Sequence, residues 1–447
     1  MKAAPWLNSF FRGEGIGAVV ARKAGGSFLV KGAGQGLMFV LMILLARLMG
    51  ADQFGVYVVV IAWLNILTLV SKFGLDLVVV RFVSTYLTQE QWGTLRGVII
   101  WSNRVTVQLS LVIGLLAALC VWFVGRETQL DLVRAFWLAM IALPLASLAS
   151  LRHAALQGMT HVVLAEVPEM IARPILIAAV VIPVVVIGGM HPAAPFVAGA
   201  HLFAVAASFA LGAYWLNSRL PAKAKAAKPQ YCKQEWMSAA FPLLLVSGTY
   251  MIISQTDTVM IGMLLDNTRA GYYNAASRLS SVIQFGFIAI LAIAAPLIAS
   301  SYAAGRSTEL QRVLTLTAAG ATAFAIPAAI ILVILRGPLL GLFGTEFTVA
   351  APALLILSIG HVFNAATGAT GYLMTMTGRE RTLAWILGVA VFANIAMNLW
   401  LIPWIGINGA AVSSSVAMVL WNTALVVYAW KRMGFNVTVL KFGSELR

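Results

Sequence analysis

Nine charged residues stand inside long apolar stretches of this chain, where ordinary solvation does not account for them. The cations are Lys31, Lys72, Arg104, Arg173 and Arg278, and the acids are Asp76, Glu166, Glu169 and Asp257. A charge at the centre of a membrane helix costs about 2.5–3.5 kcal/mol on insertion scales, so such groups normally face a cavity or a partner. Lys72 and Asp76 are four residues apart, as are Glu169 and Arg173, so each pair shares a helix face and can neutralise itself. Lys31 lies near the start of its stretch, where its long stem can carry the ammonium back to the interface. Arg104 is deeper, roughly 10 Å in at helical rise. Arg278 has no carboxylate at helical spacing, and Arg173 sits near mid-span beside Pro168 and Pro174. Lys31, Arg104, Arg173 and Arg278 are therefore the candidates for a cationic cavity. The ligand such a cavity attracts is an anion, best a phosphate, whose oxygens match the guanidinium fork. Asp257 is acidic in an otherwise neutral stretch and can exchange a proton or hold a sodium ion during a transport cycle. Its alternative is a structural hydrogen bond to Ser254 or to nearby Thr and Tyr groups. Glu166 and Asp76 are the further ion-coupling candidates.

The elements that position these charges must be membrane helices. Apolar residues make up 61% of the chain and charged residues 10%, with a mean hydropathy of +0.92. A soluble domain carries roughly 25% charged residues, which excludes a water-soluble fold of this length. Runs long enough to cross the hydrocarbon, which takes about 20 residues, fall at 27–47, 56–80, 97–124, 132–151, 162–187 and 194–216. A second set falls at 237–265, 271–300, 312–335, 348–376, 382–403 and 409–430. Continuous runs of this length do not suit a membrane barrel, whose strands alternate over roughly ten residues. The expectation is an all-α polytopic membrane protein of about 12 transmembrane helices.

The chain also repeats itself. Gly55, Tyr57, Ser84, Tyr86 and Arg96 recur 216 positions later as Gly271, Tyr273, Ser300, Tyr302 and Arg312. Gly158, Pro183 and Gly189 recur 220 positions later as Gly378, Pro403 and Gly409. Duplication in so apolar a chain marks a transporter built from two related halves with a central cavity. The expected organisation is a cytoplasmic segment at 1–26, an N-lobe at 27–216, a basic linker at 217–236, a C-lobe at 237–430 and a tail at 431–447. Most of the 30 Lys and Arg residues fall in the termini and the even-numbered connections. The positive-inside rule then places both termini and the linker in the cytoplasm. Each lobe crosses six times, so the lobes enter from the same side as parallel repeats. The net charge of +15 reads as loop charge facing anionic lipid and not as a nucleic-acid surface. The linker itself, Pro221 to Pro229, reads as a solvated tether near the headgroups.

Other patterns are weaker. Gly32-Ala-Gly-Gln-Gly36 lies inside a span and not after a strand, so it reads as a close helix approach and not a phosphate loop. Pro144, Pro174, Pro242 and Pro296 permit kinks. Trp6, Trp92, Trp101 and Trp122 lie near span ends as an interfacial belt. Cys120 and Cys232 form no disulfide framework, and the five His residues have no ligand spacing, so no metal or cofactor is expected. The first 26 residues are mixed and basic, with no short apolar stretch leading to a cleavage site, and are expected to be mature chain.

Three stretches carry a family resemblance: Leu44-Leu-Ala-Arg-Leu-Met-Gly-Ala-Asp-Gln-Phe-Gly-Val-Tyr57, Gln157-Gly158 with Arg173-Pro174, and Asn398-Leu-Trp-Leu-Ile-Pro403 leading into Gly406-Ile-Asn-Gly-Ala-Ala411. Through them the chain resembles the multidrug/oligosaccharidyl-lipid/polysaccharide exporter superfamily, in its polysaccharide branch, over nearly its whole length. The resemblance implies two six-helix lobes around a central cavity. It implies a flippase that moves undecaprenyl-diphosphate-linked oligosaccharide repeat units of O-antigen or exopolysaccharide from the cytoplasmic to the periplasmic leaflet. The protein would then be a transporter and not an enzyme, in the bacterial inner membrane, working beside polysaccharide assembly proteins. A membrane potential or a proton or sodium gradient would drive it. The rivals are a drug or cation exporter of the same superfamily, which wants an acidic, aromatic cavity, and a membrane-embedded polymerase or ligase, which wants a sizeable outer loop. Sugar selectivity falls to polar groups such as Asn65, Asn274, Gln284, Asn364 and Asn394.

Overall fold

The computed structural model describes residues 16–125, 130–189 and 191–439. Trp6 and Arg126 lie outside the described residues, as do most of the expected N-terminal segment and the end of the tail. The side chain of Pro242 also lies outside them. Among the described residues the fold is helical, with no strand. That follows from the composition, because inside lipid a backbone must satisfy its own N–H and C=O groups.

The helices are α1 (Ile16–Lys72), α2 (Leu75–Thr88), α3 (Trp92–Gly125), α4 (Leu130–Gly158), α5 (Val162–Val167), α6 (Arg173–Val186), α7 (Ala194–Arg219), α8 (Ala222–Ala226), α9 (Lys233–Leu264) and α10 (Asn267–Ser281). They continue as α11 (Gln284–Ala303), α12 (Ser307–Ile334), α13 (Arg336–Gly341), α14 (Ala351–Ala366), α15 (Thr370–Met376), α16 (Glu380–Ile405) and α17 (Ile407–Tyr428). Nine helices among the described residues are long and apolar enough to cross a membrane. The pair α10 and the start of α11, bent by 46° at its junction, is apolar enough to count with them when taken together, as a broken span or a re-entrant loop. Every expected span falls on one of these or on the shorter apolar helix at Met251–Leu264.

The break inside α1 falls in the connection expected between the runs at 27–47 and 56–80, and the later breaks interrupt runs expected to be continuous. Within α1, Gly50 leaves helical geometry at φ 73 and ψ 167, where the first two spans meet. Only glycine reaches that region cheaply. The second span breaks again at Phe73-Gly74, and Gly74 is needed there twice over. Its φ is +76, and a Cβ would lie 2.5 Å from the carbonyl oxygen of Ala240. The run at 162–187 is interrupted by a π-helical turn at Pro168–Ala172, and the run at 348–376 breaks at residues 367–369.

By packing, the chain divides into two units. One holds Met1–Leu41 and Leu67–Leu244, the other Met42–Ile66 and Leu245–Arg447. The same pairings occur inside each. In the first unit α2 packs on α3, α3 on α4, α4 on α7 and α6 on α7. In the second α11 packs on α12, α12 on α14, α14 on α17 and α16 on α17. The duplication in sequence is therefore a duplication of helix contacts.

Two sequence expectations need correction. The linker is not a loose tether. Arg96 donates to the carbonyl oxygens of Lys225 (2.5 Å) and Ala227 (2.8 Å), and Gln230 donates its N–H to the Gly93 oxygen at 2.9 Å. Ala224 is fully buried. The Gly93 and Gly97 pair at the start of α3 makes this docking possible, because a Cβ on Gly97 would lie 1.8 Å from the Gln230 oxygen. Gly97→Ala is expected to lift the linker off α3, read as faster proteolysis between residues 221 and 230 with the helical content unchanged. Trp101, expected at an interface, is buried against Trp236, with ring centroids 5.4 Å apart. The Gly32–Gly36 motif does serve close approach, through Gly34 alone. A Cβ there would lie 2.6 Å from Cβ of Met170 in the π-helical turn.

Candidate functional site

In the first unit the buried charges resolve into pairs. Glu166 closes α5, is 2% exposed, and receives Lys31 Nζ at 3.1 Å with His153 Nε2 at 3.6 Å on the same oxygen. Lys31 thus neutralises a carboxylate contributed by a distant helix, and Glu166 is not an isolated acid. Arg173 meets Glu169 at 3.6 Å, one helical turn away, while its buried Nε finds no hydrogen-bond partner. Lys72 donates to Asp76 at 2.6 Å and to Ser150 Oγ at 3.2 Å. Both spacing-based pairs are present. Removing either member would strand a charge in a poorly solvated place. Arg104 is exposed on α3 and makes no ion pair among the described residues. The expected cations therefore do not gather in one place within this unit. Sequence reading also passed over Arg152, which donates to Asn103 Oδ1 at 2.5 Å and stacks over the Phe209 ring at 5.3 Å.

The second unit contains a cavity of about 750 Å³, walled by α9, α10, α11, α14, α15 and α17. Asp257 and Arg278 both line it. Asp257, on α9, is 5% exposed. Its carboxylate accepts hydrogen bonds from the Tyr273 hydroxyl, from Ser414 Oγ at 2.5 Å, from Asn398 Nδ2 at 2.7 Å and, at 3.5 Å, from Asn394 Nδ2. Four donors on three helices converge on one acid. A charge is tolerated in a dry interior only with this kind of enclosure. Beside it, Asn398 Oδ1 is buried and accepts nothing. Carboxylate, amide oxygen and hydroxyl are the oxygen ligands a hard cation prefers, so these residues suit a proton or a small cation equally in kind. Ser254, the partner suggested by sequence, donates instead to the Met251 carbonyl.

Asn394 and Asn398 lie one turn apart on α16, two amides on one face of an apolar helix. That spacing was the available signal for Asp257's partners, but they are separated from Asp257 by 137 and 141 positions. Arg278 is half-buried on α10, in no ion pair among the described residues. Of the four cations singled out in the sequence, it alone lines this cavity. Further along the same wall, Gln284 Nε2 and His361 Nδ1 are 2.7 Å apart, and Asn422 Nδ2 donates to Asn364 Oδ1 at 2.8 Å.

A multi-pass helical membrane protein with a buried polar cavity inside one repeat is a transporter-like architecture, and the comparisons place it. The polysaccharide biosynthesis protein family matches residues 20–301, well over half of the chain, and the chain belongs to that family. The MatE family matches residues 242–400. A probable low-salt glycan biosynthesis flippase, Agl15 of Haloferax volcanii, is 22% identical over 409 residues, which is 91% of this chain and 82% of the relative. A probable flippase from the same organism, AglR, is 29% identical over 200 residues, 44% of this chain and 42% of the relative. Among solved structures, an inward-facing multidrug resistance MATE family transporter superposes with a TM-score of 0.69 at 12% identity, over 93% of this chain and 94% of that one. The lipid II flippase MurJ, in an inward closed conformation, superposes with a TM-score of 0.64 at 15% identity, over 90% and 87%. The fold and the family together make this a member of the multidrug/oligosaccharidyl-lipid/polysaccharide exporter superfamily.

Proposed function

We propose that the protein is a flippase for lipid-linked glycans, carrying polyprenyl-diphosphate-linked oligosaccharides from the cytoplasmic to the outer leaflet by alternating access. The observation that carries this reading is Arg278: a guanidinium lining a roomy cavity that it shares with Asp257, yet in no ion pair among the described residues. A diphosphate supplies the missing anion, and bidentate pairing to the guanidinium fork gives it orientation. The relative named as a probable low-salt glycan biosynthesis flippase supports the same class of substrate, and the second relative is named as a probable flippase. Lys31 and Arg173 each carry an acid already, so their part is weaker. Arg104 is an exposed cation on α3.

Asp257 is the ion-coupling group of this reading, with Glu166 and Asp76 held by their own cations. One elementary charge crossing the membrane gains about 2.3 kcal/mol per 100 mV, enough to bias a cycle that has no nucleotide to consume. The membrane in question is the cytoplasmic membrane, with undecaprenol the carrier if the source is a bacterium.

The reading is tested in a strain lacking the protein. Complete lipid-linked oligosaccharides should accumulate on the cytoplasmic face, and wild-type protein should restore them to the outer face. Arg278→Gln is expected to restore less than about a tenth of that transfer, given that a charge-assisted hydrogen bond contributes about 1.5–3 kcal/mol. Arg278→Lys, which keeps the charge but not the fork, should fall between. Accumulation on the outer face would instead indicate a polymerase or ligase, and absence of any lipid-linked glycan would point to drug export.

A further inference from the structure

Besides Asp257, the cavity lining carries a set of polar groups whose hydrogen-bonding roles are fixed by their own neighbours. Asn422 is anchored first. Its Nδ2 donates to the Met418 backbone oxygen at 2.9 Å, and its Oδ1 accepts from Thr367 Oγ1 at 3.0 Å. The same Nδ2 donates to Asn364 Oδ1, so the Asn364 amide is held by its oxygen and its NH2 remains a donor for the cavity.

Gln284 and His361 form a second fixed unit. If the glutamine NH2 donates to Nδ1, the pair presents an imidazole N–H and an amide oxygen. If the amide is turned over, both roles invert together. Either way the pair offers one donor and one acceptor. Asn274, one turn before Arg278 on α10, also lines the cavity, with its Oδ1 itself buried. Donors and acceptors are thus mixed along this part of the lining, with Arg278 as its formal charge.

That pattern selects among ligands. An anion wants donors only, and the acceptor of the Gln284–His361 pair would face it unfavourably. A lipid tail would leave all of these groups dry, at about 1–3 kcal/mol for each unsatisfied group. A polyol fits, because each hydroxyl both gives and accepts. The volume of about 750 Å³ lies inside the usual range for small-molecule sites, about 300–1,000 Å³.

We propose that this part of the lining is a subsite that reads the hydroxyls of the glycan, with Gln284, His361 and Asn364 as its specificity-determining residues and Arg278 marking where the glycan meets the diphosphate. It rests on the lipid-linked glycan reading for the identity of the polyol. The subsite lies wholly within the second unit, and its hydrogen bonds are not those of the carboxylate network at Asp257. Asn394, counted with the sugar-selecting amides from sequence, belongs to that network instead.

The test separates the subsite from the flippase reading by measuring binding and transfer independently. Purified protein in detergent is titrated with two carriers, bare undecaprenyl diphosphate and undecaprenyl diphosphate bearing the oligosaccharide isolated from the deletion strain. Wild-type protein should bind the glycan carrier at least about tenfold more tightly, since a site built to pair hydroxyls loses at least that when they are missing. Asn364→Asp keeps the oxygen that faces Asn422 and replaces the donor by an acceptor. His361→Phe removes the ring nitrogens at similar volume. Both should erase the preference for the glycan carrier while affinity for the bare carrier changes less than about twofold, with melting temperature in detergent as the check on folding. Equal affinity of wild-type protein for the two carriers overturns the subsite, and so does an equal loss for both carriers in folded variants. Transfer in proteoliposomes bears on the other reading alone: tight glycan-dependent binding without transfer sinks the flippase and leaves the subsite standing.

Discussion

Asp257→Asn is expected to give a folded protein that no longer transports. The substitution keeps the planar shape and one accepting oxygen, so the donors from Tyr273, Ser414, Asn398 and Asn394 retain part of their pairing. It removes the charge, and with it the capacity to take up and release a proton or a small cation. One amide group cannot accept everything two carboxylate oxygens accept, so a stability loss of about 1–3 kcal/mol accompanies the change. The functional loss should be far larger, about a hundredfold or more in gradient-driven transfer, because the proposed coupling of transport to an ion rests on this acid. The decisive measurement is transfer in proteoliposomes with and without an imposed ion gradient. Wild-type transfer should rise with the gradient and Asp257→Asn should not respond. A variant that transfers as fast as wild type and still responds to the gradient would make the four-donor network a structural bridge between α9, α16 and α17. Asp257→Ala is a poorer test, since it takes the acceptor away from the buried Tyr273 and Ser414 hydroxyls and threatens the fold itself.

Much of this molecule is legible in its sequence because membrane helices are written in composition. Apolar runs locate the spans, and the recurring Gly, Tyr and Pro positions reveal the two repeats, because lipid leaves the backbone few alternatives. The pairs Lys72–Asp76 and Glu169–Arg173 were readable because helical spacing alone brings their side chains together. Lys31 and Glu166 were not, because their meeting depends on how α1 packs against the end of α5, across 135 positions. The same is true of Asp257. Sequence marks it as an acid out of place, and nothing local says that its donors come from α10, α16 and α17. Helix breaks form the third class. The breaks at Phe73-Gly74 and at the π-helical turn after Val167 fall inside runs that hydropathy reads as continuous, so it passes over them, whereas Gly50 lies in the expected connection between the first two spans.

The repeat has one consequence that is testable at a single atom. Gly55 and Gly271 occupy equivalent positions in the duplication, and in the second unit they pack against each other. A Cβ built on Gly271 would lie 3.1 Å from Cα of Gly55, and one on Gly55 would lie 1.9 Å from the backbone oxygen of Asn267. The two glycines thus form the closest point of a helix crossing, the kind of small-residue contact on which membrane helix packing depends. This crossing sits beneath the candidate site, because α10 carries Gly271, Tyr273 and Arg278 within two turns, and Tyr273 donates to Asp257. At Gly55 the obstructing atom is backbone, so relief requires moving α10 itself. Gly55→Ala is therefore expected to cost more than about 4 kcal/mol, the range reserved for a few severe mechanisms, and to yield little monodisperse protein after detergent extraction. Gly271→Ala, whose Cβ would meet only contacts of 3.1 Å or more, should cost about 1–3 kcal/mol, as moderate overpacking does. Thermal melts in detergent give the comparison. Equal melting temperatures for Gly55→Ala and wild type would show that the crossing is looser than a 1.9 Å approach allows, and would remove the link drawn here between the duplicated glycines and the placement of Arg278.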